Sequence, residues 1–224
     1  MEETLTVCEF FTSIQGESSY AGLPCVFIRL TGCNLRCSYC DTRYAYTEGT
    51  EMRVADLLQK VQDTRLRLVE ITGGEPLIQS ATPLLIDNLI GMGFKTLVET
   101  NGSISIDHFN RDTASDCRER QLTFIVDFKA PSSGMTAHND LSNIDALKPT
   151  DEVKIVLGNR DDYQWASDLI AQHRLTQRCH VLLSPVTNTL QPETLASWIL
   201  HDALDVRLNL QLHKYIYGAD RRMV

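Results

Sequence analysis

The chain has 224 residues, with 21 lysines and arginines against 29 aspartates and glutamates, for a formal net charge of −8. That length suffices for a single domain with a sizeable core over 1–224; the acidic balance argues against direct nucleic-acid binding, which calls for a basic patch, and no apolar run of about 18 residues offers a membrane span. The cysteines number seven, an odd count; nothing at the N-terminus reads as a secretory signal, and unpaired thiols fit a reducing cytoplasm.

Residues 1–23 read as an N-terminal extension. A strand is predicted at 25–30 (CVFIRL), then a helix at 53–62 with Val54, Leu57, Leu58 and Val61 on one face. Strand 67–71 precedes helix 82–91, and strand 95–99 precedes the 103–118 connection, read as a helix. Strands follow at 123–127 and 152–157, then helix 160–173, strand 179–183 and helix 192–203, where Pro192 suits a first turn. Pro131-Ser132-Ser133-Gly134 reads as a mobile loop, and 204–224 as a C-terminal segment. Each strand is rich in branched or aromatic residues and ends in polar or turn residues.

Strand–helix alternation implies parallel strands joined by right-handed crossovers. An eight-unit barrel needs about 250 residues. The expectation is therefore an α/β fold, a partial TIM-like barrel of about six βα units with small terminal extensions; a doubly wound open sheet is the alternative. Both place active sites at the carboxyl ends of strands, and each polar motif here comes directly after a strand.

The first such motif is Thr31-Gly32-Cys33-Asn34-Leu35-Arg36-Cys37-Ser38-Tyr39-Cys40-Asp41-Thr42. Its C-x3-C-x2-C spacing supplies three thiolates to one small object and no fourth. A [4Fe–4S] cluster normally takes four cysteines, so three leave one iron open for chemistry. The alternatives are a zinc site, for which no second cysteine pair exists, and inert packed thiols on one helical face, against which Gly32, Asn34, Ser38 and Asp41 act as turn formers. Cys8, Cys25, Cys117 and Cys179 are scattered. Further motifs are Thr72-Gly73-Gly74-Glu75-Pro76, whose glycines allow close backbone approach to a ligand, and Glu99-Thr100-Asn101-Gly102. Asp127-Phe128-Lys129 and Ser184-Pro185-Val186-Thr187 also follow strands.

The cysteine loop together with Gly73-Gly74-Glu75-Pro76 resembles the radical S-adenosylmethionine (SAM) superfamily. Ile14-Gln15-Gly16-Glu17, Phe27-Ile28-Arg29-Leu30, Cys40-Asp41-Thr42, Val98-Glu99-Thr100-Asn101-Gly102 and Gln211-Leu212-His213-Lys214-Tyr215 narrow the likeness to the 7-carboxy-7-deazaguanine synthase family, along essentially the whole chain. The resemblance implies a (β/α)6-type core and a lyase of the deazapurine (queuosine) pathway, upstream of tRNA modification. It implies that Cys33, Cys37 and Cys40 hold three irons of a [4Fe–4S] cluster and that SAM chelates the fourth. One electron then releases a 5′-deoxyadenosyl radical, and the radical takes a hydrogen from 6-carboxy-5,6,7,8-tetrahydropterin. The ring contracts and ammonia leaves. The radical is generated on SAM, so no catalytic acid or base is assigned to that abstraction.

By the same resemblance, SAM meets Tyr39, Asp41, Gly73, Gly74, Glu75, Glu99, Asn101, Asp127, Lys129, Ser184 and Thr187. The pterin meets Ile14, Gln15, Gly16, Glu17, Arg29, Thr72, Gln211 and His213. Thr42 helps hold Mg2+, an ion that favours oxygen ligands and shares its shell with waters and substrate. Two positions depart from the pattern: Asp127-Phe128-Lys129 stands where many relatives carry Ser-Pro-Lys, and Ser18 where many carry Gly. A homodimer and a reducing electron donor such as flavodoxin are also implied. Two other classes stay open. Another radical SAM enzyme, such as a glycyl-radical activase, needs an open cleft for a peptide. A non-enzymatic Fe–S or zinc protein gives no reason for Thr72-Gly73-Gly74-Glu75-Pro76.

Overall fold

A computed structural model describes residues 3–111, 120–218 and 221–224. Among the described residues, the strands are β1 (Thr4–Ile14), β2 (Pro24–Leu30), β3 (Thr50–Arg53), β4 (Leu68–Gly73), β5 (Lys95–Thr100), β6 (Leu122–Lys129), β7 (Glu152–Leu157), β8 (His180–Pro185) and β9 (Arg207–Leu208). They form one sheet in the order β3-β1-β2-β4-β5-β6-β7-β8-β9. From β2 through β4 to β9 every neighbouring pair is parallel. β1 and β3 add an antiparallel edge. The helices are α1 (Val54–Asp63), α2 (Thr82–Gly91), α3 (Asp107–Arg111), α4 (Asn143–Ala146), α5 (Arg160–His173), α6 (Pro192–His201) and α7 (Leu212–Tyr217).

Side chains alternate across a strand, and here the two faces carry different chemistry. Val26, Ile28, Val69, Ile71, Val98, Phe124, Val126, Val153, Ile155 and Leu183 point outward. They pack with Leu57 and Val61 of α1, Leu85 and Leu89 of α2, and Tyr163 and Ala166 of α5 in the main core. The inner face starts apolar, with Cys25, Phe27, Leu68, Leu97 and Ile125 in a second cluster. Towards the carboxyl ends it turns polar, through Arg29, Thr72, Glu99, Asp127, Lys154 and Ser184. The sheet curls around this inner face as a partial barrel, with β3 and β9 at its edges.

The six predicted strands correspond to β2 and β4 to β8. β1, β3 and β9 were not anticipated. β1 runs for 11 residues beside β2, so the N-terminal extension is a structural strand that ends in the Gln15-Gly16-Glu17 turn. In that turn Ser18 adopts a φ of 61°, the left-handed backbone glycine takes most readily. α6 stops at His201, short of the expected 203, because Ala203 turns left-handed at φ 47° and Leu204 donates back to the Ile199 carbonyl at 3.1 Å. Of the helix expected over 103–118, α3 covers 107–111, and 112–118 lies outside the described residues. The 131–134 loop is tethered. Ser132 N donates to Asp162 at 2.8 Å, and the Ser38 hydroxyl donates to the Ser132 carbonyl at 2.7 Å, which ties the loop to both α5 and the cysteine loop.

Candidate active site

A cavity of about 910 Å3 opens at the carboxyl ends of the parallel strands. At one end lie Cys33, Cys37 and Cys40, all free thiols. The loop that carries them leans on the end of β4. Gly74 N donates to the Leu30 carbonyl at 3.1 Å and Glu75 N to the Gly32 carbonyl at 2.7 Å. A side chain on Gly74 would place its first carbon 2.8 Å from Cys33 Cβ and closer still to the Gly32 oxygen, so the two segments meet only because this position is glycine. The Leu35 amide donates to Cys33 Sγ at 3.4 Å, and the Asn101 amide reaches the same sulfur at 3.8 Å while donating to Asn34 at 2.9 Å. Burial raises the Cys33 and Cys37 thiols. Three thiols opening on one cavity, one of them already accepting from N–H groups, are a donor set that suits an iron–sulfur cluster.

The middle of the cavity holds paired charges. Asp127 and Lys129 bond at 2.8 Å. Burial works to lower the Lys129 ammonium, but Asp127 and Cys37 outweigh it and hold it above its ordinary range. The second Asp127 oxygen, Oδ1, is buried without a partner among the described residues, an acceptor left over for a ligand hydroxyl or amine. Tyr39 donates to the Val156 carbonyl at 3.2 Å. Ser184 accepts from Asn209 at 2.8 Å. Thr187 donates to Gln211 at 3.0 Å. Asp41 accepts from Thr42 at 2.9 Å and Lys214 at 2.7 Å. Burial pushes the Asp41 carboxyl up, yet Lys214 prevails and holds it well below the usual carboxylate range. Lys154 bridges Glu17 at 2.5 Å and Glu99 at 2.6 Å, and Thr72 donates to Glu99 at 3.4 Å.

The far end is built from the two chain termini. Gln15 Oε1 accepts from Glu17 N at 2.8 Å, and its Nε2 donates to Glu70. The C-terminal segment folds onto this turn. Leu212 N donates to the Gly16 carbonyl at 2.8 Å, and Gln211 donates to Glu17 at 3.0 Å. Burial lowers the His213 imidazole below its usual range, so it is neutral at pH 7. Arg29 donates to Glu9 at 2.9 Å, and the other Glu9 oxygen takes Arg222 at 2.9 Å. Arg222 in turn stacks over Tyr44 at 3.6 Å.

All the residues expected from sequence to meet SAM, pterin or metal line this one cavity, with one exception. Glu75 is fully buried and lies behind the wall. Its carboxylate accepts from Leu77 N at 3.0 Å, Thr100 Oγ1 at 2.9 Å and Asn101 N at 2.6 Å. It braces the ends of β4 and β5 and has no surface left for SAM. Sequence reasoning missed Lys154, Glu70, Glu9 and Arg222. For Lys154 and Glu70 a signal existed, a charge in the inward register of an otherwise apolar strand.

Residues 27–125 match the family model described as the radical SAM superfamily. A 7-carboxy-7-deazaguanine synthase from Chlorobaculum tepidum is 42% identical over 226 residues, which covers 100% of this chain and 99% of that protein. One from Koribacter versatilis is 38% identical over 235 residues, covering 98% and 100%. Among solved structures, QueE from Escherichia coli superposes with a TM-score of 0.73 at 24% identity, over 94% of this chain and 95% of that one. Streptococcus suis SuiB bound to S-adenosylmethionine superposes with a TM-score of 0.51 at 13% identity, over 80% and 44%. The two structural likenesses speak for the fold.

Proposed function

Since the chain belongs to the 7-carboxy-7-deazaguanine synthase family of radical SAM enzymes, we propose that it converts 6-carboxy-5,6,7,8-tetrahydropterin to 7-carboxy-7-deazaguanine, with loss of ammonia, in queuosine and deazapurine biosynthesis. The observation that carries this reading is a single cavity with three cysteines at one end and the Gln15–Glu17 turn, Arg29 and His213 at the other. The family brings a [4Fe–4S] cluster and SAM, which supply one-electron cleavage of the sulfonium and hydrogen abstraction from substrate.

Each group of residues has work in that scheme. Cys33, Cys37 and Cys40 hold the cluster, and Asn101 steadies the first of them. Gly73 and Gly74 bring β4 backbone against the cysteine loop, where a methionyl group would lie. The spare Asp127 oxygen would accept from a SAM hydroxyl or amine, with Lys129 fixing its carboxyl. Gln15 and Glu17 read the pterin's donor edge, and Arg29, held by Glu9, faces its carboxylate. Neutral His213 and Gln211 close the site from above and keep water out.

Thr42 would be the protein ligand for Mg2+, an ion that prefers oxygen donors. The family resemblance supports a cytoplasmic homodimer fed by a donor such as flavodoxin. A glycyl-radical activase is not favoured, since the C-terminal segment covers the space a peptide would need. A non-enzymatic Fe–S or zinc protein leaves the charged interior unexplained. Anaerobic incubation of the cluster-loaded protein with SAM, reductant, Mg2+ and the carboxytetrahydropterin tests the reading. Release of 7-carboxy-7-deazaguanine with one ammonia is expected; intact pterin would refute it.

A further inference from the structure

This inference rests on the substrate reading above and deepens it. We propose that Glu70 is a specificity-determining residue of the substrate end, offering one donor and one acceptor to the lactam edge of the pterin, with Gln15 locked beside it.

Glu70 occupies the inner face of β4. Its register partners are Phe27 on β2 and Leu97 on β5, so it rises from the apolar floor of the barrel. Phe27 stacks on Phe11, with ring centroids 5.0 Å apart and planes 9° apart, and both rings line the cavity beside Glu70. A carboxyl with 3% exposure on such a floor costs stability unless it has partners. One oxygen, Oε2, accepts from Gln15 Nε2. Because Gln15 Oε1 is held by Glu17 N, the Gln15 amide has one orientation, and Glu70 sets it.

Charge around Glu70 favours a neutral carboxyl. Burial raises it well above the usual carboxylate range, and Glu99 and Glu17 push the same way. Lys154 and Arg29 oppose them without prevailing; Lys154 is already shared between Glu17 and Glu99, and Arg29 is paired with Glu9. The Cys25 thiol, also on this face, is itself raised by burial, so it brings no charge. A protonated carboxyl both donates and accepts. With Oε2 already taken as an acceptor by Gln15 Nε2, the donor falls on Oε1, and in that set order a lactam's C=O and N–H match the carboxyl, whereas an amidine edge in the same pose reverses donor and acceptor.

The test is equilibrium binding of the carboxytetrahydropterin, and of its analogue with the ring carbonyl replaced by an amino group, to the cluster- and SAM-loaded protein under anaerobic conditions. Glu70→Leu should weaken the pterin by about tenfold or more, the usual result of stranding polar partners. Glu70→Gln keeps a donor and an acceptor and should stay within about threefold of wild type. Wild type should prefer the lactam over the analogue, and Glu70→Leu should lose that preference. The proposal falls if Glu70→Gln loses as much affinity as Glu70→Leu, or if Glu70→Leu binds like wild type. If Glu70→Leu does not fold, Glu70→Gln decides: kept discrimination supports the proposal and lost discrimination overturns it. Wild-type protein that binds no pterin at all would remove the functional reading, and this one with it; normal pterin binding that ignores both variants would remove only this one.

Discussion

Gly16 and His213 are fitted to each other with no room for a methyl group. A side chain on Gly16 would put its first carbon 2.8 Å from the His213 backbone nitrogen and closer still to the imidazole Nδ1. The turn after β1 and the last helix, almost 200 residues apart in sequence, thus share one wall of the substrate end. Gly16→Ala should force the 211–214 segment away and cut kcat/KM for the pterin by about 100-fold, the scale of an ångström-sized misplacement. The cluster absorption should be unchanged, because the 211–214 segment meets the cysteine loop at Asp41, through Lys214, rather than at a cysteine. Steady-state kinetics beside a visible spectrum checks both.

Lys154 is the hinge of the charge network. Burial opposes its ammonium, but Glu17 and Glu99 outweigh burial and raise it far above its ordinary range. Lys154→Met leaves two carboxylates facing each other and should cost about 3 kcal/mol of unfolding free energy. Adding Glu99→Gln should return about half of that loss in urea titrations. Equal stability of wild type and Lys154→Met would contradict the network's role.

For Thr42, which donates to Asp41, the account predicts a metal-specific effect. Thr42→Ala should lose stimulation by Mg2+ and lower turnover by about tenfold or more, while Thr42→Ser retains both. The cluster spectrum should be identical in all three proteins. Unchanged Mg2+ dependence in Thr42→Ala would remove the metal assignment.

Glu75 predicts a pH dependence. Burial raises its carboxyl to about 7 against the hydrogen bonds from Asn101, Leu77 and Thr100. A group raised in the folded state contributes stability that is present below its unfolded pKa and is lost as pH rises through the folded value. Stability should therefore decline between about pH 4.5 and 7 by up to about 3 kcal/mol from this residue. His213, lowered by burial, works with the opposite sign below its ordinary range, so the comparison must be between wild type and Glu75→Gln. Thermal melts across that range should show the decline in wild type and a flatter profile in the variant.

Much of this architecture could be read in the chain because the strands carry their instructions locally. Val69-Glu70-Ile71 and Val153-Lys154-Ile155 announce strands through their branched outer residues, and the polar motifs after them mark the site. β1 escaped because an antiparallel edge strand is defined by its pairing with β2, and β9 because two residues acquire strand identity only beside β8. The roles of Glu70, Lys154 and Glu9 were not legible for a related reason. A lone charge in a strand announces that it points inward, but its partners come from β1, β5 and the C-terminal segment, which only the folded chain assembles. Glu75 shows the reverse: a motif residue read as a ligand contact is spent on backbone amides.

The measurement that bears most directly on the account is the dependence of SAM cleavage on the pterin. Reduced, cluster-loaded protein is given SAM and Mg2+ anaerobically, with and without 6-carboxy-5,6,7,8-tetrahydropterin, and both 5′-deoxyadenosine and the pterin-derived product are followed. If the cavity joins a cluster end to a pterin end, SAM turnover should rise steeply with the pterin, accompanied by 7-carboxy-7-deazaguanine. SAM cleavage at the same slow rate with or without the pterin, and no deazaguanine, would contradict it.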